Sequence, residues 1–314
     1  MTFSLVVVLH DSEAELAVLL DSLERHLDEQ PQLVVVDSGS RDGGPDLAAE
    51  RGADVIAVAG NRGFGAACNA GVDRAQHDVT VLLNPDCELL DGSLATLARI
   101  ADAHPRALHA PRLLNPDGSV QRSAHPLPGT PGSLLPALVH PPLLPRSLRE
   151  RLEPYHASRA RTVGWAIAAC LAARTKTLDD LGPFDPHVHL FGEDMELGLR
   201  ARAAGIPTVL HPQLTIRHAG GHATLRGGEA FEAVARRRRE AIAATRGRRA
   251  LTIDDLGQAL TFATRAAGHT VLGGDADRPR RQLAALLRTW GQPHRGASGG
   301  PHRRPLRSRL GSGT

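Results

Sequence analysis

Four short apolar runs, FSLVVVL (3–9), LVVV (33–36), DVIAV (54–58) and VTVLL (79–83), each lead into a segment with helical periodicity. This alternation constrains the fold more than any other feature of the chain. Strands buried on both faces read as continuous Val/Leu runs, and strand–helix repeats build parallel sheets. After the first run, Ser12 opens a helix with Glu15 three residues on, a capping-box pattern. Leu16, Leu19, Leu20, Leu23 and Leu27 form its apolar stripe. A short helix ends near Gly52, and further helices are expected over 63–75 and 91–103. Residues 1–115 are therefore expected to form a parallel, doubly wound α/β sheet.

Such sheets bind ligands at the carboxyl ends of their strands. Here those ends read His10-Asp11, Asp37, Asn61-Arg62-Gly63 and Asn84-Pro85-Asp86. One polar strand end is ordinary. Four in a row, three with an aspartate, point to a single site.

The character changes at 126–148, where seven prolines interrupt a leucine-rich run that cannot be one regular helix. We read it as an excursion, a mobile flap or an interfacial segment. Regular structure resumes with a strand over Val163–Ala173, a helix over Glu193–Ala204, and two short strands at Pro207–Leu210 and Leu214–Arg217. Helices follow around 228–246, 254–268 and 279–290. This organisation predicts a main domain over 1–225, with a nucleotide-binding half (1–115) and an acceptor or catalytic half (116–225). A helical extension over 226–290 and a disordered basic tail over 291–314 complete it.

Composition narrows the partners. Aromatics are 3% of the chain, so Leu, Val and Ala must fill the core. Residues 278–314 hold nine arginines and no acid. A basic tail attracts anionic surfaces, although a solvated, disordered end is the simpler reading, and no nucleic-acid partner is expected. Cys68, Cys87 and Cys170 match no zinc spacing and read as reduced thiols of a cytoplasmic protein. The first residues enter an apolar strand with no basic leader, and no run of 18 apolar residues exists to span a membrane.

Several segments carry chemistry. Gly63-Phe64-Gly65 opens a helix as a dinucleotide fingerprint would, but Cys68 stands where the third glycine belongs, and the strand is the third rather than the first. Asp86 could hold a hard divalent cation on a diphosphate, with phosphate oxygens and water completing the shell; a plain Asn-Pro-Asp turn is the structural alternative. In FGEDMELGLR (191–200), Glu193, Asp194 and Glu196 crowd a helix start, where the dipole favours acids. A carboxylate there facing a cleft could serve as general base. Arg200 could pair with Glu196 at i,i+4. His218 and His222 are four apart, but Gly220-Gly221 argues against a helical metal pair, leaving His218 at a strand end as the better candidate.

Taken in order, VVVLHDSEAELAVLLDSL, LVVVDSGSRDGG, NRGFGAACNAGV, VLLNPDCEL, LGPFDPHVHLFGEDMELGLRARAAGI and IRHAGG resemble the family 2 glycosyltransferases, inverting nucleotide-sugar enzymes of GT-A fold. The Asn-Pro-Asp form resembles the rhamnosyltransferase-like branch, which uses dTDP-rhamnose or related donors. The resemblance implies roles residue by residue. Asp86 would bind the metal, Mg²⁺ or Mn²⁺, on the donor diphosphate, with Asn84 where many members have an aspartate, and His218 would complete the metal shell. His10 and Asp11 would line the nucleoside pocket, Asp37 would bond the pyrimidine, and Arg62 would contact nucleotide or phosphate. Asp194 would be the catalytic base, with Glu193 and Arg200 in support. Many members have Tyr-Asn in place of His10-Asp11 and Asp-Asn-x-Ser in place of Asp37-Ser38-Gly39-Ser40.

The expected activity is sugar transfer from a nucleotide-diphosphate donor to an acceptor hydroxyl, in cell-envelope or polysaccharide synthesis. The acceptor class is a glycan or a polyprenyl-linked glycan. The segment 126–148 and the arginines at 236–239 leave open a peripheral contact at the inner face of the plasma membrane. A non-catalytic nucleotide-sugar-binding protein would need a missing base or metal ligand, and Asp86, Asp194 and His218 are all present. A nucleotidyltransferase would need a Gly-rich basic loop after the first strand, where this chain has His10-Asp11-Ser12-Glu13.

Overall fold

The computed structural model describes residues 1–58, 63–135, 139, 144–182, 184–185, 192–220, 231–271 and 273–290. Strands β1 (Ser4–Leu9), β2 (Gln32–Asp37), β3 (Asp54–Ala57) and β4 (Val79–Leu83) alternate with helices α1 (Glu13–His26), α2 (Gly44–Glu50) and α3 (Phe64–Arg74). The four strands are parallel neighbours in the order β3-β2-β1-β4, as the alternation predicts. Beyond β4 the sheet turns mixed. It continues through β10 (Cys170–Arg174), β6 (Leu108–Leu114), β11 (Thr208–His218) and β5 (Cys87–Leu89), with β8 (Arg161–Val163) also on β11. β10 runs antiparallel to both β4 and β6, while β6 and β11 are parallel. A two-stranded ribbon pairs β7 (Ala124–His125) with β9 (Trp165–Ala166).

Strand periodicity builds two cores. Leu5, Val7 and Leu9 of β1 point to one face and meet Leu16, Leu19, Leu20 and Leu23 of α1 and Leu94 and Leu97 of α4 (Ser93–Ala103). Val6 and Val8 point to the other face and meet Ala67, Cys68 and Val72 of α3, Leu178 of α6 (Thr175–Leu181), and Leu197 and Ala201 of α7 (Glu193–Ala203). The chain is thus three layers, helix–sheet–helix. A further helix, α5 (Arg146–Leu152), lies between β7 and β8.

Helix α7 is covered on both sides. Leu197 and Ala201 face the sheet, while Met195 and Leu199 pack on Ile242, Ala250 and Leu251 of α8 (Phe231–Val271). α8 departs from helical geometry at Gly247, whose φ of 79° and ψ of 177° suit glycine alone. Arg238 and Asp254 are 16 residues apart, roughly 24 Å along a straight helix, yet Arg238 Nε is 2.7 Å from Asp254 Oδ2. Gly247 therefore folds the two segments against each other. Helix α9 (Asp277–Thr289) joins them through Arg239, which donates to the Thr289 carbonyl.

Several sequence expectations need correction. The capping box at Ser12 does not form; its hydroxyl donates to the His10 carbonyl, and Asp42 caps α1 by accepting from the Glu13 N–H at 2.9 Å. The single strand expected over 163–173 is broken into β8, β9 and β10. Gly164 lies so close to Pro126 and Leu127 that a Cβ would meet backbone at 2.4 Å. The two strands expected at 207–217 are one, β11, with a register shift between His211 and Thr215. The second C-terminal helix starts directly after Gly247 rather than at 254. The described part of the Pro/Leu excursion is a packed strap: Leu127 joins the α7–α8 core, and the Gly129 N–H donates to Asp254 Oδ1. Of the arginines at 236–239, Arg238 and Arg239 turn inward onto Asp254 and Asp255, and Arg237 pairs with Glu240 at 3.2 Å. Those three are not a free basic patch. Arg62, His222, the rest of the excursion and the tail lie outside the described residues.

Candidate active site

The carboxyl ends of β1 and β2 form one polar wall. His10 Nδ1 lies 3.0 Å from the Ser38 carbonyl, and Asp11 Oδ1 accepts from the Arg41 N–H at 2.7 Å. Asp37 Oδ1 accepts from the Ser40 N–H at 2.8 Å. Asp11 takes a φ of 51°, a left-handed conformation that aspartate tolerates better than most residues. Of these predicted nucleoside-site residues, His10 and Asp11 tie the loop after β1 to the loop after β2, and Asp37 closes its own loop.

At the end of β4 the turn Asn84-Pro85-Asp86 meets the end of β11. His218 Nε2 is 3.2 Å from Asp86 Oδ1 and 3.4 Å from Asn84 Nδ2. The Gly220 N–H donates to Asp86 Oδ2 at 2.9 Å. Burial alone would raise the Asp86 pKa. Hydrogen bonding and charge from His218, with the Gly220 N–H, outweigh it and hold the carboxyl below its ordinary value.

Sequence reasoning missed Gln121. Its Nε2 donates to Asn115 Oδ1 and to the His218 carbonyl, so its Oε1 is the atom 2.7 Å from His218 Nδ1. An amide oxygen accepts only, so Nδ1 carries a proton; in the imidazolium Nε2 donates to Asp86, and in the neutral ring it presents its lone pair toward Asp86 and Asn84. A lone pair opposite a carboxylate is unfavourable until a cation or proton stands between them. Asn84 Oδ1 is also buried without a hydrogen-bond partner. One carboxylate, one imidazole nitrogen and one orphaned amide oxygen fit a hard divalent cation. Cys87 Sγ lies in the same cluster, all ligand atoms being within 4.8 Å of one another. Burial, then the neighbouring Cys170 and Asp86, push its thiol pKa up, and it donates to the Ala169 carbonyl, so it is a poor ligand for such an ion.

The second half of the site is the start of α7. Gly192, at a φ of 93°, leads into Glu193 and Asp194. Burial raises the pKa of both carboxyls. Asp194 accepts from the Met195 N–H at 2.8 Å, which with the nearby Ala168 N–H offsets part of that rise. Glu193 is raised further because Asp194 adds its charge, and its Oε2 is buried without a partner. Of the two, Asp194 is therefore the more readily ionised.

The turn between β9 and β10 joins the two halves. The Ala168 N–H lies close enough to Asp194 to lower its pKa, and the next residue, Ala169, accepts from the Asn84 N–H at 2.9 Å. The aspartates at 86 and 194 thus stand at the same rim, Asp194 beside Ala168 and Asp86 two residues from Asn84, which bonds Ala169. Arg200 stands apart from this rim. It forms a two-pronged pair with Glu196, at 2.8 and 3.0 Å, and donates to the Leu181 and Gly182 carbonyls, fastening α7 to the end of α6.

This architecture is the GT-A fold of nucleotide-diphospho-sugar transferases. The chain aligns with GalNAc-T7 bound to UDP, GalNAc and Mn²⁺ at a TM-score of 0.58 and 15% identity, covering 91% of this chain and 55% of that one. It aligns with S. aureus TarS in complex with UDP-GlcNAc at a TM-score of 0.57 and 15% identity, covering 92% and 80%. Residues 4–167 match the model of glycosyl transferase family 2. The N-acetylglucosaminyl-diphospho-decaprenol L-rhamnosyltransferase of Mycobacterium tuberculosis is 30% identical over 242 residues, 70% of this chain and 76% of that protein. The chain belongs to glycosyl transferase family 2.

Proposed function

We propose that the protein is a metal-dependent, inverting rhamnosyltransferase acting on a polyprenyl-diphosphate-linked acceptor in cell-envelope synthesis. The observation that carries the reading is the shared dipeptide 168–169, which holds the candidate base and the Asn84-Pro85-Asp86 turn at one rim. The mycobacterial relative's rhamnosyl donor and decaprenol-linked acceptor supply the substrate classes.

Asp194 takes the proton from the acceptor hydroxyl. The oxygen attacks the anomeric carbon from the face opposite the diphosphate, and the nucleoside diphosphate leaves with the bonding pair. A divalent cation, Mg²⁺ or Mn²⁺, on Asp86 and His218 would neutralise the charge that builds on that leaving group. Asn84, through its unpartnered Oδ1, would add a neutral ligand. Glu193, protonated and buried, keeps a second negative charge away from the reacting oxygen. His10, Asp11 and Asp37 form the nucleoside wall, which Arg62 would extend to the phosphates.

The test is a donor panel. Thermal stability is followed with dTDP-rhamnose, UDP-GlcNAc and GDP-mannose, with and without Mn²⁺ or Mg²⁺, followed by transfer to a polyprenyl-diphospho-GlcNAc acceptor. The proposal expects metal-dependent stabilisation, greatest for dTDP-rhamnose, and rhamnosyl transfer. Stabilisation by another donor with no rhamnosyl transfer would overturn the donor assignment. No helix among the described residues is long and apolar enough to cross a membrane. Contact with a lipid acceptor would then be peripheral.

A further inference from the structure

Arg202 lies eight residues along α7 from Asp194, roughly 12 Å by helical rise. It borders an open groove of about 310 Å³ lined by Leu127, Leu199, Arg202, Ala203, Thr245 and Arg246. Arg202 stands in the last turn of α7, and Arg246 immediately before the reversal at Gly247. Helix C-termini favour cations, which accounts for where the two arginines sit. It does not account for their partners. Among the described residues neither guanidinium has an ion pair, whereas Arg200, Arg237, Arg238 and Arg239 all do. Arg246 Nε is buried with no hydrogen-bond partner. Burial, and then repulsion from Arg202, pull the Arg246 pKa down. The carboxylate in range, Asp254, is held by both prongs of Arg238 and by the Gly129 N–H. Thr245 donates its hydroxyl to the Ala241 carbonyl, so the donors facing the groove come from the two arginines.

We propose that this groove is an anion site for a phosphate or diphosphate group, gripped by Arg202 and Arg246 beside an apolar wall of Leu127 and Leu199. Two adjacent guanidiniums call for more than one negative charge, and their planar forks match phosphate oxygens. The anion could come from a soluble phosphate ester or from a lipid headgroup whose chain follows the leucine wall. The site is separate from the Asp86–His218 cluster, and its test does not depend on sugar transfer.

The experiment titrates inorganic pyrophosphate into the full chain by calorimetry, at low salt and with EDTA to suppress metal-dependent binding at the catalytic rim. Arg202→Gln, Arg246→Gln and Arg202→Glu are compared with wild type. Arg202 is exposed, so its variants keep the test open should Arg246→Gln disturb folding. A parallel arm measures co-sedimentation with phosphatidylcholine vesicles containing phosphatidic acid. The Arg202 variants should weaken pyrophosphate binding at least fivefold, Arg202→Glu the most. A parallel loss of vesicle binding assigns the phosphate to a lipid. Loss of pyrophosphate binding with vesicle binding unchanged assigns it to a soluble ester. Equal binding by wild type and the Arg202 variants, or no binding by wild type, overturns the site.

Discussion

Gln121 Oε1 lies 2.7 Å from His218 Nδ1, and that contact decides which ring nitrogen faces Asp86. A side chain 97 residues away in sequence thus sets the tautomer of a candidate metal ligand. Outer-shell partners of this kind typically change metal affinity 10–100-fold when removed. Gln121→Ala should raise the Mn²⁺ concentration for half-maximal activity by about that factor. Gln121→Glu, which keeps an acceptor oxygen, should recover part of the loss. An unchanged metal requirement in Gln121→Ala would refute the role.

Asp194 is half-buried, and burial raises its pKa above the ordinary carboxylate value. A base must be ionised to work. kcat/KM should therefore fall as pH drops, on a limb displaced upward from the usual aspartate range. A profile flat down to about pH 4, the range of an unperturbed aspartate, would contradict the assignment.

His109 Nδ1 and His211 Nε2 are 3.0 Å apart in a buried pair on β6 and β11. Burial, then the charges of His109 and His104, lower the His211 pKa to about 4. A depressed folded pKa gives stability that is complete above the unfolded value near 6.5 and is lost as pH falls toward 4. The loss at this one residue is on the order of 3 kcal/mol across that window. His211→Asn should flatten the fall in Tm between pH 7 and pH 5. An identical slope in both proteins would locate the acid sensitivity elsewhere.

Arg239 and Asp255 pair at 3.0 Å with both side chains buried, their exposures being 7% and 3%. Removing one partner of a buried pair typically costs about 3–5 kcal/mol. Asp255→Ala should therefore destabilise strongly in chemical denaturation, whereas Arg239→Met with Asp255→Leu should lose far less. A single variant as stable as wild type would show that the C-terminal hairpin does not rely on this pair.

The parts of the fold legible in sequence were those with local period. β1 to β4 and their helices announce themselves through Val/Leu runs and leucine stripes, and the polar ends of those strands mark the rim. The mixed half was harder to read. β5 has three residues, too few for a pattern, and β10 is separated from the ribbon strand β9 by the turn at Ala168–Ala169, where no turn-forming residue stands. That turn joins Asp194 to Asn84, so the missed break and the missed connection are one error. Gln121 follows a turn at 115–119 and carries no periodic signal. Its partner His218 stands at the end of β11, which only the tertiary fold brings near. The pairing of Arg238 and Arg239 was hidden for a similar reason: their partners Asp254 and Asp255 lie across the reversal at Gly247.

The most direct test of the central claim, that a proton acceptor and a diphosphate-binding turn serve one reaction at one rim, is single-turnover sugar transfer by Asp194→Asn beside its affinity for the nucleoside diphosphate and Mn²⁺. Asparagine keeps the shape and cannot take the proton. The account predicts a rate lower by about 10²–10⁴-fold with nucleotide and metal affinity within a factor of three of wild type. Transfer at the wild-type rate would contradict it.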